Sequence, residues 1–386
     1  MRISKNHPFT SMIIKIIEQD YDGFGQEIFE KSELLGYLNE KTKSVNDGSK
    51  SRSSFANHYA IYVLLEDYIN KGFAESCSKS NYSEYKGAKF TDLLRRKREL
   101  PFGKKLQNHA LNSRLNAEFK KYYPTLDKEP IIRDVKKQRY WIQEDLILIT
   151  IRDKEGKDYV FNIAKTIIKI IDQYVAAKQV AFEKFITTCK EISELRENDF
   201  EKAINFVNEK LQQKVDARIF EIISYAVLKA KYGEEKIWIS QIGQNKEDVE
   251  EEKIILYKTG RTNANDGGID FVMKPLGRFF QVTETIDVVK YFLDIDKIHR
   301  FPITFVIKTD ENIEKIKENI YLQAIEKYKI KSVVQLYMNA IEEIINVPQL
   351  SEYFNLLVKS GKIKQVMNEI ITQAEMEFNW DKTSNS

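Results

Sequence analysis

Very little in this chain could act as a covalent or metal staple. Only two of its 386 residues are cysteine, Cys77 and Cys189, and only four are histidine, none beside a cysteine. Two distant thiols cannot build a disulfide scaffold, and a Cys/His zinc site needs closely spaced ligands. This usage fits a reducing interior, so a cytoplasmic protein is expected. Long apolar runs are missing too. Leu146-Ile147-Leu148-Ile149-Thr150-Ile151, among the longest, falls far short of the roughly 20 residues that span a bilayer. Met12-Ile13-Ile14 is interrupted at once by Lys15, so neither a secretory pattern nor a membrane partner is expected. Neither charge dominates: 61 Lys+Arg stand against 58 Asp+Glu, a formal net of +3. What the chain does have is core-forming material. With 42% hydrophobic and 12% aromatic residues it can bury a sizeable interior, which excludes global disorder. At about 100–200 residues per domain, its length predicts two or three domains.

The charge is unevenly placed. Between Lys41 and Lys121 there are 17 Lys+Arg and 8 Asp+Glu, a net of +9, so the rest of the chain is acidic. A region so biased is the footprint of a surface that meets a polyanion. Apolar periodicity predicts helices over 11–18, 27–39 and 55–70, the last preceded by a loop of small hydroxyl residues. A helical pattern resumes over 90–121 with Arg95-Arg96-Lys97-Arg98 and breaks at Pro101. Residues 141–152 read as a strand that turns at Asp153-Lys154-Glu155-Gly156-Lys157 into Tyr159-Val160-Phe161. A long helical stretch, 163–232, follows, with a break at Asn198-Asp199 and Asp199 as a candidate N-cap. After Gly233 the pattern turns to strands at 237–239, 254–257, 269–273, 279–283 and 303–307, with a helix over 288–298. From Glu311 onward the chain reads as helical. Two domains are expected, 1–162 mainly helical and basic, and 163–386 of α+β or α/β class.

The chemistry concentrates in Asn265-Asp266-Gly267-Gly268-Ile269-Asp270-Phe271-Val272-Met273 and Phe280-Gln281-Val282-Thr283-Glu284. The first run places an acid at the start of a strand just after two glycines. The turn at Pro275-Leu276-Gly277 returns a second strand beside it. Alternation puts Gln281 and Thr283 on one face of that strand, within reach of Asp270. Oxygen ligands grouped in this way can hold a hard divalent cation and leave room for water and phosphate.

These residues resemble the PD-(D/E)xK nuclease superfamily, particularly restriction endonucleases and their Mrr-like relatives. The resemblance covers residues 216–308 and rests chiefly on Asp-Gly-Gly-Ile-Asp. It implies a central mixed sheet flanked by helices. It also implies that Asp270 binds metal, that Gln281 occupies the second acidic position, and that Glu221 is the acid of the preceding helix. Thr283 stands where that family carries its lysine, so Lys258, Lys290 and Lys308 are candidate replacements, and Glu284 becomes the second acid if the strand bulges. The implied catalytic set is Asp270, Gln281, Glu221, Thr283, Glu284 and Lys258, with Mg2+ held by Asp270, Glu221 and Gln281.

The function implied is that of a sequence-specific, metal-dependent endonuclease for double-stranded DNA, a type II enzyme of a restriction-modification system. A companion methyltransferase and a homodimer are its implied partners. The basic N-terminal region would read the duplex, with Arg52, Asn57, Arg95, Arg96, Lys97, Arg98, Arg114 and Arg261 as contacts, because arginine suits guanine and phosphate and asparagine suits adenine. A repair or junction nuclease, a modified-DNA nuclease, or a non-catalytic DNA binder on a decayed nuclease fold are the alternatives.

Overall fold

The structure, a computed structural model, describes residues 6–43, 51–75, 81–152, 155–195, 199–213, 215–239, 250–259 and 268–378. Two compact units divide between Lys184 and Phe185. Among the described residues no helix is long and apolar enough to cross a membrane.

The first unit opens with α1 (Thr10–Asp20), α2 (Gly25–Lys31), α3 (Glu33–Thr42) and α4 (Ser51–Asn70). The helix expected over 27–39 is two helices. Ser32 takes an extended backbone between them, and its hydroxyl accepts the Leu35 N–H at 3.2 Å, capping the second. After α4 come β1 (Ala88–Lys89), α5 (Phe90–Glu99), a helical turn at Ala110–Arg114 and α6 (Leu115–Tyr122). Then follow β2 (Ile131–Asp134), β3 (Arg139–Ile142), β4 (Leu148–Arg152) and β5 (Asp158–Asn162). The single strand expected over 141–152 is split by a short 3-10 turn at Glu144–Leu146. β3 therefore joins a sheet of order β1-β3-β2, while β4 and β5 form the expected hairpin. The core of this unit gathers Ile13, Leu38, Tyr59, Tyr68, Phe119 and Ile142, all buried.

α7 (Ala164–Ser193) begins at the expected domain border, yet its part up to Lys184 belongs to the first unit. Ile167, Ile170, Ile171 and Tyr174 are fully buried in the N-terminal core. That apolar stripe moves the division from 162/163 to within the helix.

The second unit continues with α8 (Phe200–Leu211) and α9 (Ala217–Tyr232). Asp199 stands at the N-cap of α8 without a side-chain cap bond and pairs instead with Lys202 at 3.0 Å. Asp216 does cap α9, accepting the Arg218 N–H at 2.7 Å. Next come β6 (Lys236–Ile239), β7 (Glu250–Lys253), β8 (Ile255–Lys258), β9 (Phe271–Lys274) and β10 (Arg278–Thr283). β6 and β7 form a separate hairpin. The chain then passes through α10 (Val288–Lys297), β11 (Ile303–Ile307), α11 (Ile313–Tyr328), α12 (Lys331–Ala340) and β12 (Ile341–Ile345). It closes with α13 (Val347–Lys359) and α14 (Ile363–Phe378).

The main sheet has the order β12-β11-β10-β9-β8. β8, β9 and β10 are antiparallel neighbours, whereas β10, β11 and β12 run parallel. α10 is the crossover between β10 and β11, and every residue of β11 is buried, as a central parallel strand requires. On the α9 side, Tyr225 meets Phe271 and Tyr232 meets Phe280, with ring centroids 5.0 and 6.1 Å apart. Elsewhere Tyr291 of α10 stacks on Phe305 at 4.1 Å. β12 corrects the expectation of helix throughout the C-terminal part. The mixed α+β class is as expected.

Candidate active site

The site forms where three strands end in one row. β9 begins at Phe271, which pairs with Phe280 of β10, and the Asp270 N–H still donates to the Phe280 carbonyl at 3.2 Å. One step further along β10, the Val282 N–H donates to the Asp270 carboxylate, at Oδ2, 2.8 Å away. The Gln281 amide donates to the same oxygen, also at 2.8 Å. From the other side, the Thr259 N–H just after β8 donates to the Asp270 carbonyl at 3.0 Å. Asp270 is thus fixed by backbone and side chain at the sheet's edge.

α9 contributes the second acid. Glu221 is only 7% exposed, yet it is a carboxylate on a helix, so it needs partners. Its Oε1 lies 2.9 Å from the Lys258 ammonium of β8, and its Oε2 accepts from Arg218 one turn back on α9. Burial and then the negative charge of Glu221 push the Asp270 carboxyl up to about 7, against the pull of the Val282 N–H, Arg218 and Lys258. A carboxylate whose proton affinity is raised by the charge of a second carboxylate is a site that a bound dication relieves.

Gln281 supplies a further observation. Its Oε1 is buried and has no hydrogen-bond partner among the described residues. An acceptor left in that state costs about 1–3 kcal/mol, a cost that a coordinated cation removes. The donors on offer, carboxylates of Asp270 and Glu221 and the amide oxygen of Gln281, are the hard oxygens that Mg2+ prefers. Among the described residues no group of three His, Cys, Asp or Glu could hold a metal. The third oxygen here is an amide, so water and phosphate would complete the shell.

The structure draws the other expected residues elsewhere. Thr283 donates its hydroxyl to the Thr285 carbonyl at 3.0 Å, a local turn contact. Glu284 lies 3.2 Å from Lys308, a fully buried lysine that also donates to the Val215 carbonyl. This pair carries a structural contact, and neither residue meets Asp270. Lys290 is exposed on α10. Of the three candidate lysines, Lys258 is the one beside the acids. Arg218 was not foreseen, although its spacing of three from Glu221 on a helix is a readable ion-pair signal.

The expected DNA contacts also divide. Asn57 is fully buried, its amide donating to Tyr37 and Glu118 at 3.0 and 2.8 Å. Lys97 is fully buried too, donating to the Gln107 carbonyl at 2.6 Å, and burial lowers its pKa to about 8. Both are corrected to structural positions, because leaving them would orphan buried groups. Arg96 makes a two-pronged pair with Glu66 at 2.7 and 2.8 Å. Arg95, Arg98 and Arg114 are exposed, with Arg114 2.9 Å from Glu118. The side chain of Arg52 and all of Arg261 lie outside the described residues. A cleft of about 680 Å3 near Asp310, Glu342 and Glu352 contains none of the site residues, and its acidic lining repels a polyanion. Compared with models of protein families, with curated proteins and with solved structures, the chain has no match.

Proposed function

We propose that this chain is a magnesium-dependent endonuclease for double-stranded DNA, built on a core of PD-(D/E)xK type and acting as a type II restriction enzyme. The observation that carries this reading is the meeting of Glu221 from α9, Lys258 from β8, Asp270 just ahead of β9 and Gln281 from β10 at one end of the sheet. The element order supports it: α9, then β8, β9, β10, α10 and β11 follow the expected sequence, with the β6–β7 hairpin inserted.

Asp270, Glu221 and Gln281 would hold Mg2+, which when bound supplies Lewis-acid stabilisation of the phosphate and a lowered pKa for its water. The remaining chemistry belongs to the chain. The Val282 N–H and the Gln281 amide fix the Asp270 carboxylate in one orientation, so little reorganisation is needed at the moment of reaction. Lys258 takes the part of the lysine missing at position 283, its ammonium placed to donate to a phosphate oxygen as negative charge builds. Arg218 holds Glu221 when Lys258 turns to the phosphate. The described residues of each chain hold one such site, so cutting both strands of a palindrome takes two copies, and the host's DNA requires a protecting methyltransferase. Such a system works in the cytoplasm.

Because Asp270 must be ionised to bind a cation, protons and Mg2+ compete for it. kcat/KM should rise about tenfold per pH unit toward about 7 and level off above it. More Mg2+ should move that midpoint down, and a flat profile would contradict the role given to Asp270. The function itself is tested by incubating the purified chain and plasmid with Mg2+ or with chelator. Discrete fragments in Mg2+ alone are expected; band shifts without cutting in any divalent metal would favour the non-catalytic binder. That second reading draws on one feature, the neutralisation of Glu221 by both Lys258 and Arg218.

A further inference from the structure

The first unit holds an arrangement that the basic run on α5 does not explain. In chain order it consists of α4, β1, α5, the helical segment 110–122, β2 and β3, with strands ordered β1-β3-β2. α4 packs against α5, against Ala110–Arg114 and against β3, so three helices close over a small sheet. The link from α5 to the next helix is tightly held. Lys97 donates to the Gln107 carbonyl at 2.6 Å and the Leu106 N–H to the Gly103 carbonyl at 2.9 Å. A Cβ at Gly103 would come within 2.6 Å of the Leu100 carbonyl, so only glycine fits. Two helices joined over a shared third helix present the second one outward, as helix-turn-helix modules present theirs to a DNA groove. Here a hairpin stands beside it as a wing.

Segment 110–122 has the surface such a role needs. Leu111, Leu115 and Phe119 face the core and are at most 1% exposed. Ser113, Arg114, Ala117, Lys120 and Lys121 are exposed, and they form one outward stripe at helical spacing. Its centre is small, which permits close approach to base edges, and its flanks are cationic. In the wing, the turn between β2 and β3 is Val135-Lys136-Lys137-Gln138, all exposed, with Val135 at 59%. Val135, between Asp134 and Lys136, leaves most of its side chain to solvent, and the Lys137 ammonium lies 3.4 Å from Asp134.

We propose that helix 110–122 is the duplex-reading element, entering the major groove along Ser113, Ala117 and Lys120, while the 135–138 tip grips the neighbouring backbone. Duplex DNA fits better than an acidic protein, because an exposed helix face with a small-residue centre matches a groove, and the basic flanks match phosphates on its two sides. The inference rests on DNA being the partner, but not on cleavage.

The test is binding of a short fluorescein-labelled duplex of random sequence, in chelator, by fluorescence anisotropy over a range of salt. Lys120→Ala/Lys121→Ala and Lys136→Ala/Lys137→Ala should each weaken binding about tenfold and reduce the log–log salt slope by about two. Lys15→Ala/Lys71→Ala, exposed but outside both elements, should change neither. Circular dichroism checks that each variant is folded. Wild-type affinity and slope in both folded test pairs would overturn the proposal, as would equal losses in the control or tighter binding of single-stranded RNA or polyglutamate than of duplex. If the wild type binds duplex through these lysines and never cuts, the nuclease reading fails and this surface stands.

Discussion

Asp270→Asn is expected to abolish DNA hydrolysis and, in the absence of metal above about pH 7, to yield a protein more stable than wild type. The two effects share one cause. The folded structure raises the Asp270 pKa from 3.8 to about 7. Folding therefore favours its protonated form, and the ionised form costs stability. That cost is absent below the unfolded value, grows as pH rises between the two values, and is complete above about 7. A rise of about three units corresponds to about 4 kcal/mol. Asparagine is neutral at every pH, and its carbonyl oxygen can still accept from Val282 and Gln281. Denaturant titration in chelator at about pH 8 should show a gain on the order of 2 kcal/mol or more, and the gain should shrink as pH falls toward the unfolded value. In wild type, Mg2+ should recover the same stability by mass action, roughly 2.7 kcal/mol at a hundredfold excess over its Kd. A variant that is less stable at every pH, or that still cuts, would show that Asp270 packs rather than binds.

Lys258→Met should lower kcat by about 10²–10³ while changing KM little, in line with the loss of one preorganised donor to developing charge. Glu221 keeps Arg218 as a partner, so the helix acid is not left unpaired. Lys258→Arg should recover part of the rate, since the charge is kept and only its shape changes. A lysine remote from Asp270 would not move the pH profile. Lys258 holds the Asp270 pKa down, so its removal should shift the rising limb of kcat/KM to higher pH. Kinetics across pH, single-turnover with enzyme in excess and steady-state with DNA in excess, separates these effects. An unchanged midpoint with an unchanged kcat would return the search to Lys308, whose ammonium is committed to Glu284 and Val215.

How much of this was legible in the sequence depended on the range of the interactions involved. Strands β8, β9, β10 and β11 were readable because continuous apolar runs and the Pro275-Leu276-Gly277 turn specify them locally. β12 was not, since Ile341-Glu342-Glu343-Ile344-Ile345 directly follows a helix without a glycine or proline, and only pairing with β11 decides its state. β7, mostly glutamate, carries no apolar alternation at all. The Asp270–Gln281 meeting follows from antiparallel register across one short turn and could be anticipated. The separation of Thr283 from Asp270 could not, because it turns on a hydroxyl choosing the Thr285 carbonyl. On α5, composition predicts a basic face, yet Lys97 falls inward at the same helical spacing that leaves Arg95 and Arg98 outside. Charge counts locate a region and say nothing about which side chains point out of it.

Calorimetric titration of Mn2+ into wild type and Asp270→Asn, with plasmid cleavage followed on the same preparations, tests the central claim most directly. Wild type should bind the cation at one site per chain, release about one proton per ion below pH 7, and cut only when loaded; the variant should do none of these. Cleavage by wild type in chelator, or equal cation binding by the two proteins, would contradict it.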